Sequence, residues 1–147
     1  FGAKAVDSMR MEKGFLHWKA DILTEFDPFE TGLDRFVKME KGDFIGKAAL
    51  EKRVAAGKTV EFVSMELDST DAAAHGGSSV MVGDTVVGTV SSGDWGYRVG
   101  KNLAYAFVKP DHASVGTTFE VDVLGKRVPA TIIPTGPYNP DYSLMRS

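Results

Sequence analysis

Three histidines, His17, His75 and His112, are the first residues to test for chemistry, and none lies within metal-ligand spacing of another. No His-Glu-x-x-His pair occurs, so a metal site is not expected. His75-Gly76-Gly77-Ser78 has the look of an oxyanion loop. The Gly-x-Ser-x-Gly elbow that would supply its nucleophile is missing, which leaves a polar turn. Gly93, Gly96, Gly100 and Lys101 invite comparison with a phosphate loop. Trp95 stands where that loop needs its first glycine and Asn102 where it needs Ser or Thr, so the match fails. Gly-x-Gly-x-x-Gly is absent too, which argues against a flavin or nicotinamide site within these residues. Trp95, Tyr97 and Tyr105 lie among glycines. They suit either a planar ligand stacked on open backbone or a glycine corner covered by aromatics. The second reading is favoured, because buried aromatics are ordinary in small barrels. Asp34, Glu40 and Asp43 belong to charged stretches and read as a solvated face. No general base stands out from residue type and spacing.

The chain that must position these residues has 147 of them, enough for one domain or for one domain and a piece of another. Hydrophobic residues make up 43% and charged residues 25%, which excludes a disordered tail, a collagen-like fibre and a coiled coil. Lys and Arg total 17 against 20 Asp and Glu, a net charge of −3, so nucleic acid is not an expected partner. No apolar run approaches the roughly 18 residues of a membrane span, so no membrane partner is expected either. The absence of cysteine excludes disulfides, thiolate metal sites and a cysteine nucleophile, and fits a cytoplasmic or matrix chain, with the cytoplasm expected. A start at Phe1 implies processing or excision from something longer.

Hydrophobic periodicity changes along the chain. Residues 1–57 are charged and helix-compatible. A short helical pattern puts Val6, Met9 and Arg10 on one face and ends at Gly14. Asp27-Pro28 marks a turn, residues 35–40 form a strand candidate, and Asp43 is placed to cap a helix. That helix would carry Ile45, Ala48, Ala49 and Lys52 on one stripe and stop at Gly57. From Lys58 the period shortens to two. Strands are expected at 60–67, 78–82, 85–90, 101–108, 118–124 and 126–133, with a phase slip at Phe62/Val63 that predicts a bulge. Gly83-Asp84 and Gly125-Lys126 supply hairpin turns, and Pro129 predicts an edge or a bulge in its strand. Six short strands indicate a small antiparallel barrel or sandwich. Residues 1–57 are too few for a core of their own and read as the tail of a preceding α+β domain.

Four strings carry a more specific signal: DSMRMEKGFLHWKADI, DPFETGLDRFVKMEKGDFIGKAAL, GTVSSGDWGYRVGKNLAYAFV and the terminal YNPDYSLMR. In this order they resemble the C-terminal part of the folate-dependent aminomethyltransferase superfamily, which includes the glycine-cleavage T-protein and the folate domains of dimethylglycine and sarcosine dehydrogenases. The resemblance covers residues 2–147 and is loosest over 58–85. The runs His17-Trp18-Lys19-Ala20-Asp21 and Gly-Asp-Trp-Gly-Tyr-Arg-Val-Gly-Lys lean toward the dehydrogenase branch.

The resemblance implies a mainly β chain with an α+β N-terminal remnant. Residues 1–57 would end a ferredoxin-like folate-binding domain, and 58–147 would form a six-stranded antiparallel, jelly-roll-like barrel. It implies a parent protein in which an upstream FAD domain oxidises an N-methyl amine and the one-carbon unit passes to tetrahydrofolate, giving 5,10-methylenetetrahydrofolate. A plain aminomethyltransferase or demethylase without flavin is the alternative within the family, and a stand-alone barrel module the alternative outside it. The acidic residue that activates the folate lies upstream of the matching region in the family, so this chain alone is expected to catalyse nothing. The partners implied are the upstream domains and folate. Three folate-site positions carry over: Phe15 as an aromatic near the pteridine, Tyr142 as a tyrosine near the C-terminus, and Arg146 as a base facing the glutamate tail. A fourth departs. Four residues before Arg10, where T-proteins place a folate-site arginine, this chain has Val6, which removes a carboxylate-binding guanidinium.

Overall fold

The computed structural model describes residues 1–146. Among them six strands close an antiparallel barrel: β1 (Glu61–Leu67), β2 (Ser79–Val82), β3 (Thr85–Gly96), β4 (Lys101–Val108), β5 (Thr118–Val123) and β6 (Lys126–Ile133). The order around the barrel is β1-β4-β3-β2-β5-β6, with β6 returning to β1. Period-two alternation points Val63, Met65, Leu67, Val80, Val90, Phe119, Val121, Val123 and Ile132 into one interior core. The expected six-stranded barrel is therefore present. β3 runs to Gly96, well past the expected end at 90, so Gly93 lies within a strand, while Gly96 ends it and accepts the Gly100 N–H at 2.8 Å across the corner to β4. At Gly93 a Cβ would run into the Ala74 carbonyl, so a glycine lets the 72–76 segment lie against β3.

The central strand β4 is buried on both faces, and this explains how the N-terminal segment attaches. Ala104, Ala106 and Val108 face the interior, whereas Leu103, Tyr105 and Phe107 face outward yet are shielded. Helix α1 (Ala3–Lys13) contributes Met11 to the cluster over Leu103 and Tyr105. Phe26 stacks on Phe107 with ring centroids 4.1 Å apart, and Phe62 meets Tyr105 edge-on at 5.0 Å. The N-terminal residues thus bury their apolar surface on the outside of the barrel, where a segment too small for its own core can be held.

This two-sided burial corrects the expected bulge in β1. Phe62 breaks the alternation because it packs under the N-terminal segment, while β1 pairs without interruption from Glu61–Val108 to Leu67–Asn102. Register shifts occur instead at Val80/Met81 and between Val90 and Ser92. Pro129 also lies in a closed barrel, not at an edge. Its carbonyl accepts the Asp68 N–H at 2.8 Å, and the N and C=O of a strand residue face the same neighbour. The missing N–H therefore faces β1 just past the last pair, Leu67–Ala130.

Two further expectations between residues 34 and 57 change. The strand candidate at 35–40 is a 3-10 turn over Asp34–Phe36 followed by bends. The second helix, α2 (Lys47–Ala56), begins after Gly46 in the left-handed region (φ 93°) and not at Asp43, which makes no cap. None of its residues is buried, and Ile45 is fully exposed. What tethers α2 is Arg53, whose guanidinium bonds Asp27 at 3.0 Å and the buried Glu30 at 3.2 Å. Among the described residues no helix is long and apolar enough to cross a membrane.

Candidate functional site

Helix α1 has two working faces. Ser8, Met11 and Glu12 form the buried one. The Ser8 hydroxyl donates to the Trp95 carbonyl at 2.6 Å, and the Tyr105 hydroxyl donates to the Met11 carbonyl at 3.0 Å. Glu12 Oε1 accepts the backbone N–H groups of Arg98 (2.5 Å) and Val99 (3.0 Å), fixing the turn between β3 and β4. A buried acid at this position is satisfied by main-chain donors and needs no cation.

The other face carries the pair expected to lie together, Val6 and Met9, with Arg10 and Lys13 along the same stripe. It stays open. With Phe15, Arg98 and Tyr138 it lines a cavity of about 490 Å³ whose walls are mostly apolar, a size ordinary for a small-molecule site. Gly14 ends α1 in the left-handed region (φ 83°), and the Phe15 N–H returns to the Arg10 carbonyl at 2.8 Å. That cap sets Phe15 at the cavity wall, the residue 56% exposed and open for stacking.

Beneath the cavity Arg10 is wholly engaged. Its Nε donates to Asp7 at 3.0 Å, Nη1 to Asp21 at 2.7 Å and to the Phe15 carbonyl at 3.3 Å, and Nη2 to the Ser92 hydroxyl at 2.9 Å. Asp21 has no solvent exposure and also accepts the His17 N–H at 2.8 Å and the Ser91 and Ser92 hydroxyls at 2.6 Å. The cluster joins α1, the 17–21 loop and β3. Local spacing does not reveal it, because the serines that complete it lie 70 and 71 residues from Asp21; the sign in the sequence was that HWKADI and VSSGDWG both belong to the recognised strings. Tyr105 lies next to it, and burial pushes its phenol well above the usual value, with the nearby Arg10 partly opposing.

The C-terminal segment returns to the same face. The Tyr138 N–H donates to the Glu12 carbonyl at 2.9 Å. The Lys13 ammonium donates to the carbonyls of Tyr138 (3.2 Å) and Asn139 (2.6 Å) and stands 3.6 Å over the Tyr142 ring. Of the three residues singled out from the sequence, Phe15 lines the cavity directly, and Tyr142 approaches it through Lys13. Arg146 closes the last 3-10 turn, donating its N–H to Ser143 at 3.1 Å, and among the described contacts none joins it to the cavity. Sequence reasoning missed Lys13, Arg98 and Tyr138.

The remaining candidates are dispersed. Tyr105 is buried, Tyr97 is exposed and Trp95 is half-buried, so they do not form one stacking platform. His75 opens a tight turn closed by Ser78, and His112 meets the Phe119 ring edge-on at 6.3 Å. Asp34, Glu40 and Asp43 are exposed.

Comparison with known proteins places this geometry. Residues 60–139 match the glycine cleavage T-protein C-terminal barrel domain, and residues 1–41 match the GCVT N-terminal domain. A mitochondrial dimethylglycine dehydrogenase of Rattus norvegicus is 39% identical over 90% of the chain and 16% of the relative. An aminomethyltransferase of Saccharopolyspora erythraea is 33% identical over 90% of the chain and 36% of the relative. The chain thus spans about a sixth of the first and about a third of the second. The crystal structure of glycine cleavage system aminomethyltransferase T from Bartonella henselae superposes with a TM-score of 0.84 at 22% identity, covering 91% of this chain and 38% of that one, which establishes the shared fold. With the barrel profile matched over more than half its length, the chain belongs to the glycine cleavage T-protein family.

Proposed function

We propose that this chain forms one wall of a tetrahydrofolate site in a one-carbon transfer protein of the dimethylglycine or sarcosine dehydrogenase type. The observation that carries the reading is the α1 cavity, where an exposed Phe15 ring, apolar Val6 and Met9, and the guanidinium of Arg98 line one recess. An aromatic heterocycle with a carboxylate tail needs those two features, a flat apolar wall and a cation beyond it. In the parent protein an upstream flavin would oxidise the N-methyl amine, and tetrahydrofolate would take up the carbon. No residue of this chain is assigned to the flavin. Its own work is to stack the ligand on Phe15, to shield one side from water, and to hold Tyr142 near the site through Lys13.

The stronger similarity to dimethylglycine dehydrogenase than to aminomethyltransferase, 39% against 33%, favours the flavin-linked type over a plain transferase. Residues 1–57 would complete a folate-binding domain and 58–147 would be the barrel beside it, a boundary supported by matches that end at 41 and resume at 60.

The test is tetrahydrofolate titration of the full-length protein, with amine oxidation and folate-dependent transfer assayed separately. Phe15→Ala is expected to weaken folate binding about tenfold, the worth of one good aromatic contact. Tyr142→Ala should lower transfer more than oxidation. Absence of tetrahydrofolate binding to the full-length protein would overturn the reading, and equal loss of both activities would assign Tyr142 to stability.

A further inference from the structure

We infer that Arg98 reads the carboxylate tail of the ligand in the α1 cavity. The inference rests on the folate reading of that cavity and adds a residue to it.

Three cationic side chains line the recess, and two are already engaged. Arg10 spends its three nitrogens on Asp7, Asp21, Ser92 and the Phe15 carbonyl. Lys13 donates to two carbonyls and covers the Tyr142 ring. Arg98 differs. Its backbone is fixed, because its N–H and that of Val99 both donate to Glu12, which is itself buried. Its side chain is exposed and, among the described residues, makes no hydrogen bond or ion pair, with Cζ 5.9 Å from the Tyr138 ring centroid. A guanidinium on a rigid turn, beside an apolar wall and without a carboxylate of its own, is arranged for a bidentate anion. The ring beneath it narrows the range of its plane without using its donors. Val6 stands on the same cavity wall, 44% exposed, and brings no charge of its own.

The experiment compares tetrahydrofolate with tetrahydropteroyl amide, in which a neutral carboxamide replaces the glutamate and no carboxylate remains, as ligands of the full-length protein. The unsubstituted protein is expected to prefer tetrahydrofolate about tenfold, as one charge-assisted pair at a partly open site allows. Arg98→Gln should cut that preference to about twofold by weakening tetrahydrofolate and leave tetrahydropteroyl amide binding unchanged, since the backbone bonds to Glu12 remain. Adding Val6→Arg to Arg98→Gln should restore it, because the new guanidinium starts from the same wall. A preference that survives Arg98→Gln and vanishes in Arg146→Gln would overturn the assignment in favour of Arg146. No preference in the unsubstituted protein would overturn it while leaving the folate site standing. Failure to bind either ligand would remove the folate site itself.

Discussion

Arg10 Nη1 and Asp21 Oδ2 are 2.7 Å apart, and the Asp21 carboxylate is wholly shielded from solvent. The pair ties α1 and the 17–21 loop to β3 through the Ser91 and Ser92 hydroxyls, so one hydrogen-bonded cluster joins the cavity floor to the barrel wall. An ion pair this deep stabilises only when every remaining donor and acceptor is used. Asp21 meets that condition with four donors.

Removing one partner leaves the others buried and unpaired. Asp21→Ala is expected to destabilise the protein by about 3–5 kcal/mol. Arg10→Met with Asp21→Ala should cost clearly less than the two single changes added together. Urea unfolding of the four proteins measures the difference, and strict additivity would show that the two residues do not act as a pair.

Glu30 predicts an acid-sensitive link between the 27–31 loop, α2 and β1. Burial pushes its carboxyl up, but the hydroxyl and N–H of Thr59, the N–H of Asp27 and the charge of Arg53 outweigh this and leave it below 4.5. A carboxyl depressed in the folded state adds stability that is complete above its unfolded value and disappears as pH falls through the folded one. The urea midpoint should therefore fall below about pH 4.5, and Glu30→Gln should flatten that fall. An unchanged slope in the variant would assign the acid sensitivity to other carboxylates.

Tyr105 gives the opposite sign. Its phenol is raised by burial, so its stabilising contribution is present below the usual tyrosine range and is lost as pH climbs beyond it. In an ultraviolet titration of the four tyrosines, one should stay protonated until the protein unfolds, and Tyr105→Phe should remove that signal. The same variant loses the bond to the Met11 carbonyl and should be about 1 kcal/mol less stable.

Lys13 holds the C-terminal segment to α1 by two carbonyl bonds and the Tyr142 ring. Lys13→Met should raise amide exchange across 138–143 about tenfold, the equivalent of losing one charged contact, while exchange in β4 stays constant. A uniform rise through the barrel would mean global destabilisation instead.

The barrel was legible because alternation is local. TFEVDV shows its inward face, Phe119, Val121 and Val123, without reference to any other residue, and Gly125 marks the turn to β6. The end of α1 at Gly14 was equally local, since a glycine in the left-handed region is what that cap requires. Phe62 shows where local reasoning fails. Its apolar side chain looked like a fault in the alternation until the N-terminal segment was seen to cover the outer face of β1 and β4. Asp43 and residues 35–40 misled for a related reason: exposed segments with no buried stripe have little hydrophobic pattern to fix their ends.

For the candidate site, the sequence by itself determined residue types, and the family resemblance singled out Phe15, Tyr142 and Arg146 as candidates. Only the tertiary structure decided which cations remain available. Arg10 is consumed by Asp21, Lys13 by the returning chain, and Arg98 arrives from a turn more than 80 residues away that Glu12 holds in place. Charge is a property of a residue, but its availability depends on partners that folding brings together.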